Sequence, residues 1–464
     1  MSHWHDIISR PAGRRVLVVG LARSGRAAAS WLARQGARVT GSDQRQQLAG
    51  LEELAGLGVD IVTGVDGSRL LPGMELVVLS PGVWMTAPVV QRARQEGIPL
   101  LGELELAWRA LRQRQGRALT LIAVTGTNGK STTAALCAHL ARSAGRRVFL
   151  GGNIGRPLLE ILDEPGTELA VVEVSSFQLE QLSSERALDP QVAVWLNLTP
   201  DHLDRHGSLE EYAACKRRLF AGQGAEDSAV VFLDDEQVVS HTRDLPARLL
   251  GFSRLEQRAA GGVLIAGERL RCGAGLGVIL RNQRLAGEHN AENAAAALLA
   301  ARAAGIDSSL WQQALDGYPG LEHRLEPVAE VGGVRFINDS KGTNVDATLK
   351  SLTSFTAPII LLAGGRGKGS DFRRLRPLVR QRVKQLLLLG EEAEHLARDL
   401  DGCAPALRVS DMRQAVQQAY RLARPGDVVL LSPACASFDM FSDYAERGRV
   451  FAAAARSLAA EEHR

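Results

Sequence analysis

Residues 121–133 read LIAVTGTNGKSTT, a stretch that predicts a buried strand, a glycine loop and a helix in direct succession. Gly126 and Gly129 let the backbone curl so that its N–H groups point at phosphate oxygens, and the helix adds the positive end of its dipole. Lys130 would reach the outer phosphates of a nucleotide, and the Ser131 hydroxyl would reach a Mg²⁺ ion. The spacing departs from the usual G-x-x-x-x-G-K-S/T, because valine stands six positions before Lys130. An ordinary strand–helix turn is the alternative to a nucleoside-triphosphate loop.

Apolar, β-branched runs like the one before this loop recur along the chain, each followed by a helical pattern. Fully apolar strands that alternate with helices are typical of parallel sheets covered on both faces. We therefore predict an α/β protein throughout. The predicted strands are Val16–Val19, Leu76–Leu79, Leu121–Val124, Ala170–Val174, Val192–Leu196, Ile359–Leu362 and Val428–Leu431.

The length of 464 residues predicts about three domains, at roughly 150 residues each. A polar, basic stretch at 109–117 separates the first strands and helices from a new strand, and a turn-rich break lies near 316–321. These two joints divide the chain into domains at about 1–110, 111–319 and 320–464.

Composition excludes several classes of protein. The net charge is only +3, and no basic run interleaved with aromatic residues suggests nucleic-acid binding. Apolar runs are far shorter than the ~20 residues that cross a bilayer, and the N-terminus has no signal-peptide pattern. The five cysteines are odd in number and never spaced C-x-x-C, which favours reduced thiols over a structural zinc site. We therefore expect a cytoplasmic protein without membrane insertion.

Further motifs follow the glycine loop in a definite order. The loop TGTNGKSTT at 125–133 resembles that of the Mur ligases and of the folylpolyglutamate synthetases, and the later motifs narrow the resemblance to the D-glutamate-adding Mur ligases over most of the chain. These later motifs are GGNIG at 151–155, EVSSFQLE at 173–180, NLTPDHLDRH at 197–206, Lys216, EHR at 322–324, NDSKGTN at 338–344 and SPACAS at 432–437.

The resemblance implies a reaction and a fold. ATP would phosphorylate the carboxylate of UDP-N-acetylmuramoyl-L-alanine, and the amine of D-glutamate would attack the acyl phosphate to form an amide for peptidoglycan, the cell-wall polymer on which cell shape and division depend. A Rossmann-like N-terminal domain would bind UDP, a central P-loop ATPase-like parallel sheet would bind ATP, and a Rossmann-like C-terminal domain would bind the amino acid. We expect a monomer that requires ATP and Mg²⁺.

The resemblance also assigns residues to ATP. Asn293 matches the adenine contact, although a hydrogen bond at a helix start would explain it equally. Arg324 and Asp339 match groups that hold the nucleotide from the third domain, and Lys341 matches a phosphate-contacting lysine. The loop contacts are Gly126, Thr127, Asn128, Gly129, Lys130, Ser131, Thr132 and Thr133.

Two Mg²⁺ sites follow from the same resemblance. Forming an acyl phosphate brings two anions together, and Mg²⁺, which prefers oxygen ligands, offsets their repulsion. Ser131 and Glu173 would serve one ion, and His202 and Lys216 the second; Lys216 would be carbamylated by CO2. Glu173 as a helix cap, a structural His202 and an ammonium on Lys216 are the alternatives. The catalytic residues would be Lys130, Glu173, His202, Lys216 and Lys341.

Most of the substrate residues lie in the two outer domains, and two of them, Asn153 and His202, lie in the central domain. Residues 15–25 invite a dinucleotide interpretation, but alanine replaces the middle glycine of G-x-G-x-x-G. In the family this turn takes the diphosphate of UDP, and the position of Arg23 is often apolar, which favours a backbone role there. The UDP-substrate contacts would be Arg23, Ser24, Asp43, Arg45, Gly82, Asn153 and His202.

D-Glutamate carries two carboxylates, so cations and hydroxyls must converge on it. Tyr444 stands where the family often has phenylalanine, and the glycine-rich loop around Lys368 would also fit a loop without a ligand. The contacts implied are Thr343, Lys368, Ser437, Phe441 and Tyr444.

Three other functions fit parts of the sequence. The first is another Mur-family or folylpolyglutamate-type amide ligase, with a different substrate on the same fold. The second is a nicotinamide-dependent oxidoreductase, suggested by residues 16–43 alone. The third is a nucleotide-binding regulatory module without chemistry, which the combination of Lys130, Glu173, His202 and Lys216 disfavours.

Overall fold

The protein is described by a computed structural model that covers residues 4–48, 50–184, 187–259, 261–273, 276–367 and 369–462. The chain divides into two compact units, one made of 1–280 with 291–316 and the other of 281–290 with 317–464. The first unit contains two sheets and the second contains one. The predicted α/β class is confirmed, and all seven predicted strands are present within one or two residues of their predicted bounds.

The N-terminal sheet is fully parallel, with five strands in the order β3-β2-β1-β4-β5. Its central strands are buried along their whole apolar length, as expected for a sheet covered on both faces. The strands are β1 (Arg15–Val19), β2 (Arg38–Asp43), β3 (Asp60–Thr63), β4 (Leu76–Leu79) and β5 (Leu100–Gly102), and the helices are α1 (Trp4–Ser9), α2 (Arg23–Arg34), α3 (Glu52–Gly56), α4 (Pro88–Gln95) and α5 (Glu103–Gln115).

The turn between β1 and α2 is closed by backbone contact. A side chain at Gly25 would place its Cβ 1.7 Å from the carbonyl oxygen of Gly20, and Gly20 has a positive φ of 85°. Both positions therefore require glycine. The close approach sets the start of α2 directly against the end of β1.

The central sheet has nine strands in the order β14-β13-β12-β11-β10-β9-β6-β8-β7. Strands β6 to β12 pair in parallel, as predicted, and β12, β13 and β14 add a short antiparallel meander at one edge. The strands are β6 (Thr120–Thr125), β7 (Val148–Gly152), β8 (Leu169–Glu173), β9 (Val192–Trp195), β10 (Ser228–Phe232), β11 (Arg248–Ser253), β12 (Val263–Ala266), β13 (Arg269–Cys272) and β14 (Leu276–Ile279).

Helices cover this sheet. The alanine-rich helix α11 begins at Glu288, and its alanines from Ala294 to Ala297 are completely buried. Small side chains let a helix approach the sheet closely. The helices are α6 (Lys130–Ser143), α7 (Ser176–Glu180), α8 (Leu203–His206), α9 (Leu209–Arg217), α10 (Glu236–Ser240), α11 (Glu288–Ala303) and α12 (Trp311–Asp316).

The basic stretch at 109–117, which we predicted to separate two domains, is largely helical. Residues 109–115 form the second half of α5. Arg112 donates from Nε to Asp189 Oδ1 (2.9 Å) and from its terminal nitrogens to the carbonyls of Gly116 (2.8 Å) and Asp189 (2.9 Å). The arginines of this stretch thus bind the central sheet's connections and do not form a solvated linker.

The C-terminal sheet has six strands in the order β15-β16-β20-β17-β18-β19, and only the edge strand β15 is antiparallel. The strands are β15 (Glu326–Val331), β16 (Val334–Asn338), β17 (Ile359–Gly364), β18 (Val383–Leu389), β19 (Ala406–Arg408) and β20 (Val428–Leu431). The helices are α13 (Val345–Thr353), α14 (Arg376–Arg382), α15 (Ala393–Asp399), α16 (Met412–Leu422) and α17 (Tyr444–Glu462).

Two further observations bear on the compositional expectations. None of the five cysteines, all of which are described, forms a disulfide bond, and four of them are buried. Within the described ranges, every helix is too short or too polar to cross a membrane.

Candidate active site

The glycine loop joins β6 to α6, as predicted. Gly126 and Gly129 both have positive φ, 150° and 85°, which side chains rarely adopt. Lys130 folds back over the loop, and its Nζ donates to the carbonyls of Gly126 (3.0 Å) and Thr127 (2.9 Å). The loop therefore has a defined shape, closed on one side by the lysine predicted to bind phosphate.

A second segment fixes the loop from the end of β9. Asn197 accepts from the backbone N–H of Asn128 through Oδ1 (2.8 Å) and donates from Nδ2 to the carbonyl of Asn128 (3.2 Å). Thr127 donates from its hydroxyl to the carbonyl of Thr199 (3.1 Å) and accepts from the N–H of Thr199 (3.0 Å). The carboxyl ends of two neighbouring parallel strands thus support one loop, which is where α/β sheets bind ligands.

Gly129 also lies against α11. A Cβ there would be 2.2 Å from Asn293 Oδ1, and the same oxygen accepts from the Thr133 hydroxyl (3.3 Å). Asn293 is 5% exposed. The predicted adenine contact is therefore adjacent to the loop. It is the sixth residue of a helix that begins at Glu288, so it does not stand at the helix start.

We expect Gly129→Ala to lower the free energy of unfolding by about 1–3 kcal/mol, because the left-handed conformation is strained and Asn293 must move. Gly145→Ala is the matched control, since Gly145 has a φ of 79° but nothing within 4 Å of the added Cβ. Thermal unfolding of both variants separates the two effects, because backbone strain lowers the stability of both, whereas the clash with Asn293 lowers only that of Gly129→Ala. Equal losses in the two variants would show that contact with Asn293 contributes nothing.

Glu173 stands at the end of β8 with both carboxylate oxygens engaged. The Ser131 hydroxyl donates to Oε2 (2.5 Å), and the Asn153 amide donates to Oε1 (2.7 Å). Glu173 is 1% exposed. Three residues predicted to contact metal or substrate therefore meet at one buried carboxylate, whereas the cap of α7 is supplied by Ser175 and Gln178.

Lys216, on α9, reaches the same loop. Its Nζ donates to the carbonyl of Gly126 (2.9 Å), the oxygen that also accepts from Lys130, and lies 4.3 Å from the centre of the Tyr212 ring. Burial and the nearby charge of Lys130 hold the pKa of Lys216 well below its usual range. Burial thus favours the neutral form of this amine, which is the form that reacts with CO2.

His202 follows β9 and occupies the N-cap position of α8, where its side chain makes no capping hydrogen bond. It has a positive φ of 54°, an uncommon conformation for histidine. Its ring meets the Phe177 ring edge-on at 4.7 Å, and Asp201 Oδ2 lies 3.6 Å from its Nε2. His202 thus follows a strand of the sheet whose neighbouring strands end at Glu173 and at the glycine loop.

The donor set fits a hard cation better than a soft one. In the part of the chain that the structure describes, no three His, Cys, Asp or Glu side chains cluster as a ready metal site. Ser131 and Glu173 nevertheless place a hydroxyl and a carboxylate beside the glycine loop. Such oxygen ligands suit Mg²⁺, which binds through few protein groups and keeps the rest of its shell for phosphates and water.

The N-terminal sheet carries a cavity of about 590 Å³ at the carboxyl ends of its strands. Gly20, Asp43, Arg45, Gly82 and Trp84 are among its lining residues. The Arg45 guanidinium pairs with both carboxylate oxygens of Asp43 (3.0 and 2.9 Å), and the Leu21 N–H donates to the same carboxylate (2.8 Å). Burial alone would raise the pKa of Asp43, but these hydrogen bonds outweigh it and lower the pKa.

Arg23 lines a different cavity. This second cavity, of about 400 Å³, lies between α2 and residues 156–163 and also includes Arg26, Trp31 and Glu160. The structure thus brings Gly82, Asp43 and Arg45 together but directs the side chain of Arg23 elsewhere. This placement agrees with our expectation that Arg23 acts through its backbone.

Behind this second cavity lies a buried acid, Glu103, at the start of α5. It is 1% exposed, and neither carboxylate oxygen makes a hydrogen bond of normal geometry among the described residues. Burial raises its pKa to about 7, while the Leu159 N–H, the charge of Arg23 and the Ser24 hydroxyl oppose the rise only in part. We did not predict a titrating group beside Ser24.

The second unit gathers another group of predicted residues. Asp339 accepts from the hydroxyls of Ser351 (2.6 Å) and Ser432 (2.9 Å) and from the N–H of Leu325 (3.3 Å). It is 1% exposed, and burial raises its pKa although the Arg324 charge opposes the rise. Arg324 therefore lies near Asp339, on a loop whose residues His323 and Leu325 have positive φ.

Lys341 lies beside Tyr444, with its Nζ 5.4 Å from the ring centre. Ser437 is 2% exposed, and its carbonyl accepts from the N–H of Phe441 (2.9 Å). Thr343 is half-buried, and its N–H donates to the Lys341 carbonyl (2.9 Å). Lys368 lies outside the described residues.

Several structural contributors were not predicted. Arg447, 2% exposed, donates to the Ser340 hydroxyl (2.9 Å) and to the carbonyls of Ser340, Cys435 and Ala436, so it ties together the loops that carry Lys341 and Ser437. Asn197 supports the glycine loop, as described above. No local signal marks these roles, because each depends on a partner far away in the sequence.

Comparison with known proteins defines the class. Residues 14–102 match the family described as Mur ligase MurD-like, N-terminal domain, residues 124–301 match the Mur ligase middle domain, and residues 323–435 match the Mur ligase, glutamate ligase domain. The chain belongs to the Mur ligase family and is an ATP-dependent, amide-bond-forming ligase. Among the relatives similar to it, proteins named UDP-N-acetylmuramoylalanine--D-glutamate ligase recur.

Two of these relatives cover nearly the whole chain. The protein of that name from Pelotomaculum thermopropionicum is 44% identical, over 94% of this chain and 96% of its own length. The one from Anaeromyxobacter dehalogenans is 45% identical, over 97% and 98%. The predicted family and its D-glutamate-adding subgroup are thereby confirmed as the proteins this chain resembles.

Solved structures support the fold. The UDP-N-acetylmuramate-alanine ligase MurC of Thermotoga maritima is 20% identical and aligns with a TM-score of 0.62 over 96% of this chain and 99% of its own. The MurF ligase of Thermotoga maritima in complex with ADP is 16% identical, with a TM-score of 0.63 over 99% and 100%. At this identity the likeness confirms the three-domain α/β architecture.

Proposed function

We propose that the protein joins D-glutamate to UDP-N-acetylmuramoyl-L-alanine in peptidoglycan synthesis, with ATP converted to ADP and phosphate. The observation that carries this proposal is the 40–45% identity, over nearly the full length, to several relatives that share one printed name. The arrangement around Glu173 and the glycine loop supports it, since acyl-phosphate chemistry needs cations beside a phosphate site. We propose that the three domains, at about 1–110, 111–319 and 320–464, bind the UDP-substrate, ATP and the amino acid respectively.

ATP binds on the loop of residues 126–133. Backbone N–H groups of the loop receive the phosphates, and the dipole of α6 favours their charge. Lys130 leaves its carbonyl partners to contact the outer phosphates. Asn293 contacts the adenine, and Arg324, Asp339 and Lys341 complete the nucleotide site from the C-terminal domain.

The metal ligands are those implied by the family resemblance. Ser131 and Glu173 hold one Mg²⁺, and His202 with a carbamate on Lys216 holds a second. When bound, Mg²⁺ screens the repulsion between the substrate carboxylate and ATP. The low pKa of Lys216 supports carbamylation, because only a neutral amine attacks CO2.

The substrates enter from both outer domains. Asp43, Arg45 and Gly82, with the backbone of Arg23 and Ser24, receive the UDP group, and Asn153 and His202 direct the muramoyl end towards the glycine loop. In the C-terminal domain, D-glutamate is held by Thr343, Lys368, Ser437, Phe441 and Tyr444. The L-alanyl carboxylate takes the γ-phosphoryl group, the amine displaces phosphate, and no protein nucleophile is needed. We further propose that the enzyme acts as a cytoplasmic monomer and that cell division depends on it.

The test is phosphate release from the purified protein with ATP, Mg²⁺ and UDP-N-acetylmuramoyl-L-alanine. D-Glutamate, L-glutamate, L-lysine and meso-diaminopimelate are supplied in parallel. We expect turnover with D-glutamate and, for each other amino acid, a kcat/KM lower by about 10³-fold or more, because wrong stereochemistry or a missing carboxylate leaves charged groups unpaired.

Two further measurements serve as controls. Without UDP-N-acetylmuramoyl-L-alanine no ADP forms, which distinguishes this reaction from that of a folylpolyglutamate-type ligase. A titration with NAD(H) stays flat, which excludes the oxidoreductase. Preferred turnover of another amino acid contradicts the substrate assignment, and ATP binding without any turnover favours the regulatory module.

A further inference from the structure

The segment 80–84 forms one wall of the cavity that contains Asp43 and Arg45, and two side chains from the central sheet's connections hold it in place. Arg205 donates from its two terminal nitrogens to the carbonyls of Pro81 (3.2 Å) and Val83 (3.0 Å). Gln181 donates from Nε2 to the carbonyls of Ser80 (2.9 Å) and Val83 (3.0 Å). Every carbonyl that accepts here is thus turned towards the central sheet.

The orientation of these carbonyls fixes the direction of the amides. A trans peptide is planar, so the N–H of the next residue points away from the preceding carbonyl. There are no cis peptides in the described chain. The N–H groups of Gly82 and Trp84 therefore point away from Arg205, and neither has an acceptor within the described residues. Both residues line the cavity.

Arg205 is itself firmly held. Its side chain is 3% exposed, and its Nε donates to Glu180 Oε2 (2.7 Å). The guanidinium stacks over the rings of Phe177 (4.0 Å) and Trp84 (5.5 Å). Such a planar, multiply bonded arginine fixes the geometry of what it binds, which lysine does not reproduce.

We propose that Arg205, assisted by Gln181, is a positioning residue for the UDP part of the substrate. By holding the carbonyls of segment 80–84 away from the cavity, it presents the N–H groups of Gly82 and Trp84 to acceptor oxygens of the bound UDP. This inference rests on the function proposed above. It implies that residues of the central domain help the N-terminal domain to recognise UDP.

The test measures the Kd of UDP by calorimetry for the full-length protein and its Arg205→Ala variant. We expect the variant to bind UDP roughly 10- to 100-fold more weakly than the wild type does. Without Arg205, the N–H groups of Gly82 and Trp84 are no longer held in position, and two hydrogen bonds to UDP are weakened. The KM for UDP-N-acetylmuramoyl-L-alanine rises by a similar factor, while the KM values for ATP and D-glutamate change by less than about threefold. A merely structural arginine would lower the melting temperature or the active fraction and leave these ratios unchanged.

Further variants keep the test decisive if alanine impairs folding. Arg205→Lys can bind only one of the two carbonyls, so we expect its affinity for UDP to lie between those of the wild type and Arg205→Ala. We also expect free guanidinium, at low concentration, to restore part of the UDP binding of Arg205→Ala. Gln181→Ala weakens UDP binding in the same direction. Arg112→Ala is the matched control, because Arg112 also binds two carbonyls and one carboxylate and stacks on a tryptophan, but far from segment 80–84.

The outcomes separate the inference from the proposed function. Unchanged UDP affinity in Arg205→Ala and Arg205→Lys overturns the inference while the reaction stands. An equal loss in Arg112→Ala overturns it too, since any buried arginine would then have the same effect. If the wild-type protein binds no UDP and does not turn over the muramoyl substrate, the proposed function fails, and the inference fails with it.

Discussion

Replacing Lys216 with alanine is expected to lower kcat by about 10³-fold or more, because the side chain supplies charge beside the reacting phosphate. Lys216 is 1% exposed and shares the Gly126 carbonyl with Lys130. If Lys216 and Lys130 were both charged, their ammonium groups would repel each other at this carbonyl. A neutral amine on Lys216 avoids this repulsion. When that neutral amine attacks CO2, an N–C bond forms and one proton leaves, which gives an anionic carbamate with oxygen atoms that can bind a metal ion.

Chemical rescue of Lys216→Ala identifies the working state of the lysine. If the carbamate is the working form, acetate restores part of kcat, since it supplies an oxygen ligand to the same space. If methylammonium restores kcat and acetate does not, the working form of Lys216 is an ammonium group. Lys384→Ala is the control, because Lys384 pairs with Asp427 in the C-terminal domain and is expected to leave kcat unchanged. A Lys216→Ala variant with wild-type kcat contradicts the role altogether.

Glu103→Gln is expected to stabilise the protein at pH 8 by up to about 3 kcal/mol and to have little effect near pH 4.5. The pKa of Glu103 is about 7 in the folded protein, against an ordinary 4.5. Between these pH values the folded state keeps a proton that the unfolded state releases, so stability falls as the pH rises from 4.5 to 7 and stays lower above 7. Glutamine is neutral throughout and avoids this loss.

The measurement is the melting temperature of each protein from pH 5 to pH 8. The control is Glu105→Gln, two residues along α5, because Glu105 is equally buried but accepts from the backbone N–H (2.6 Å) and hydroxyl (2.5 Å) of Ser183 and pairs with Arg109. Weakening these contacts is expected to destabilise the protein at pH 8, the opposite sign to Glu103→Gln. A Glu103→Gln variant with the same melting temperature as the wild type at every pH contradicts a raised pKa.

Local patterns were sufficient to predict the strands and the phosphate loop. Each central parallel strand is apolar along its whole length, so its run of β-branched residues is visible without knowledge of its neighbours. The glycines of the loop are equally informative, because their positive φ values leave few other residues possible. The meander of β12–β14 escaped prediction, since each of its strands is only four residues long and no helix lies between them.

Long-range contacts account for what the sequence did not reveal. The bond from Lys216 joins positions 90 residues apart, and those from Arg205 span more than 120. Which carbonyl such a side chain meets depends on peptide orientations in a distant loop. For Arg205, even the motif that contains it was recognised, yet only the three-dimensional contacts indicate its partner. The resemblance supplied roles for individual residues, but it did not reveal the raised pKa of Glu103.

The chain passes between its two compact units three times, at 280/281, 290/291 and 316/317. On the ribosome, where the N-terminus emerges first, the five strands of the N-terminal sheet form a contiguous segment that is able to fold early. The central sheet has no such freedom, because the buried alanines of α11 are made only after the first residues of the second unit. Central folding therefore waits for nearly two thirds of the chain, and the phosphate loop near residue 126 is synthesised long before Asn293, against which it rests.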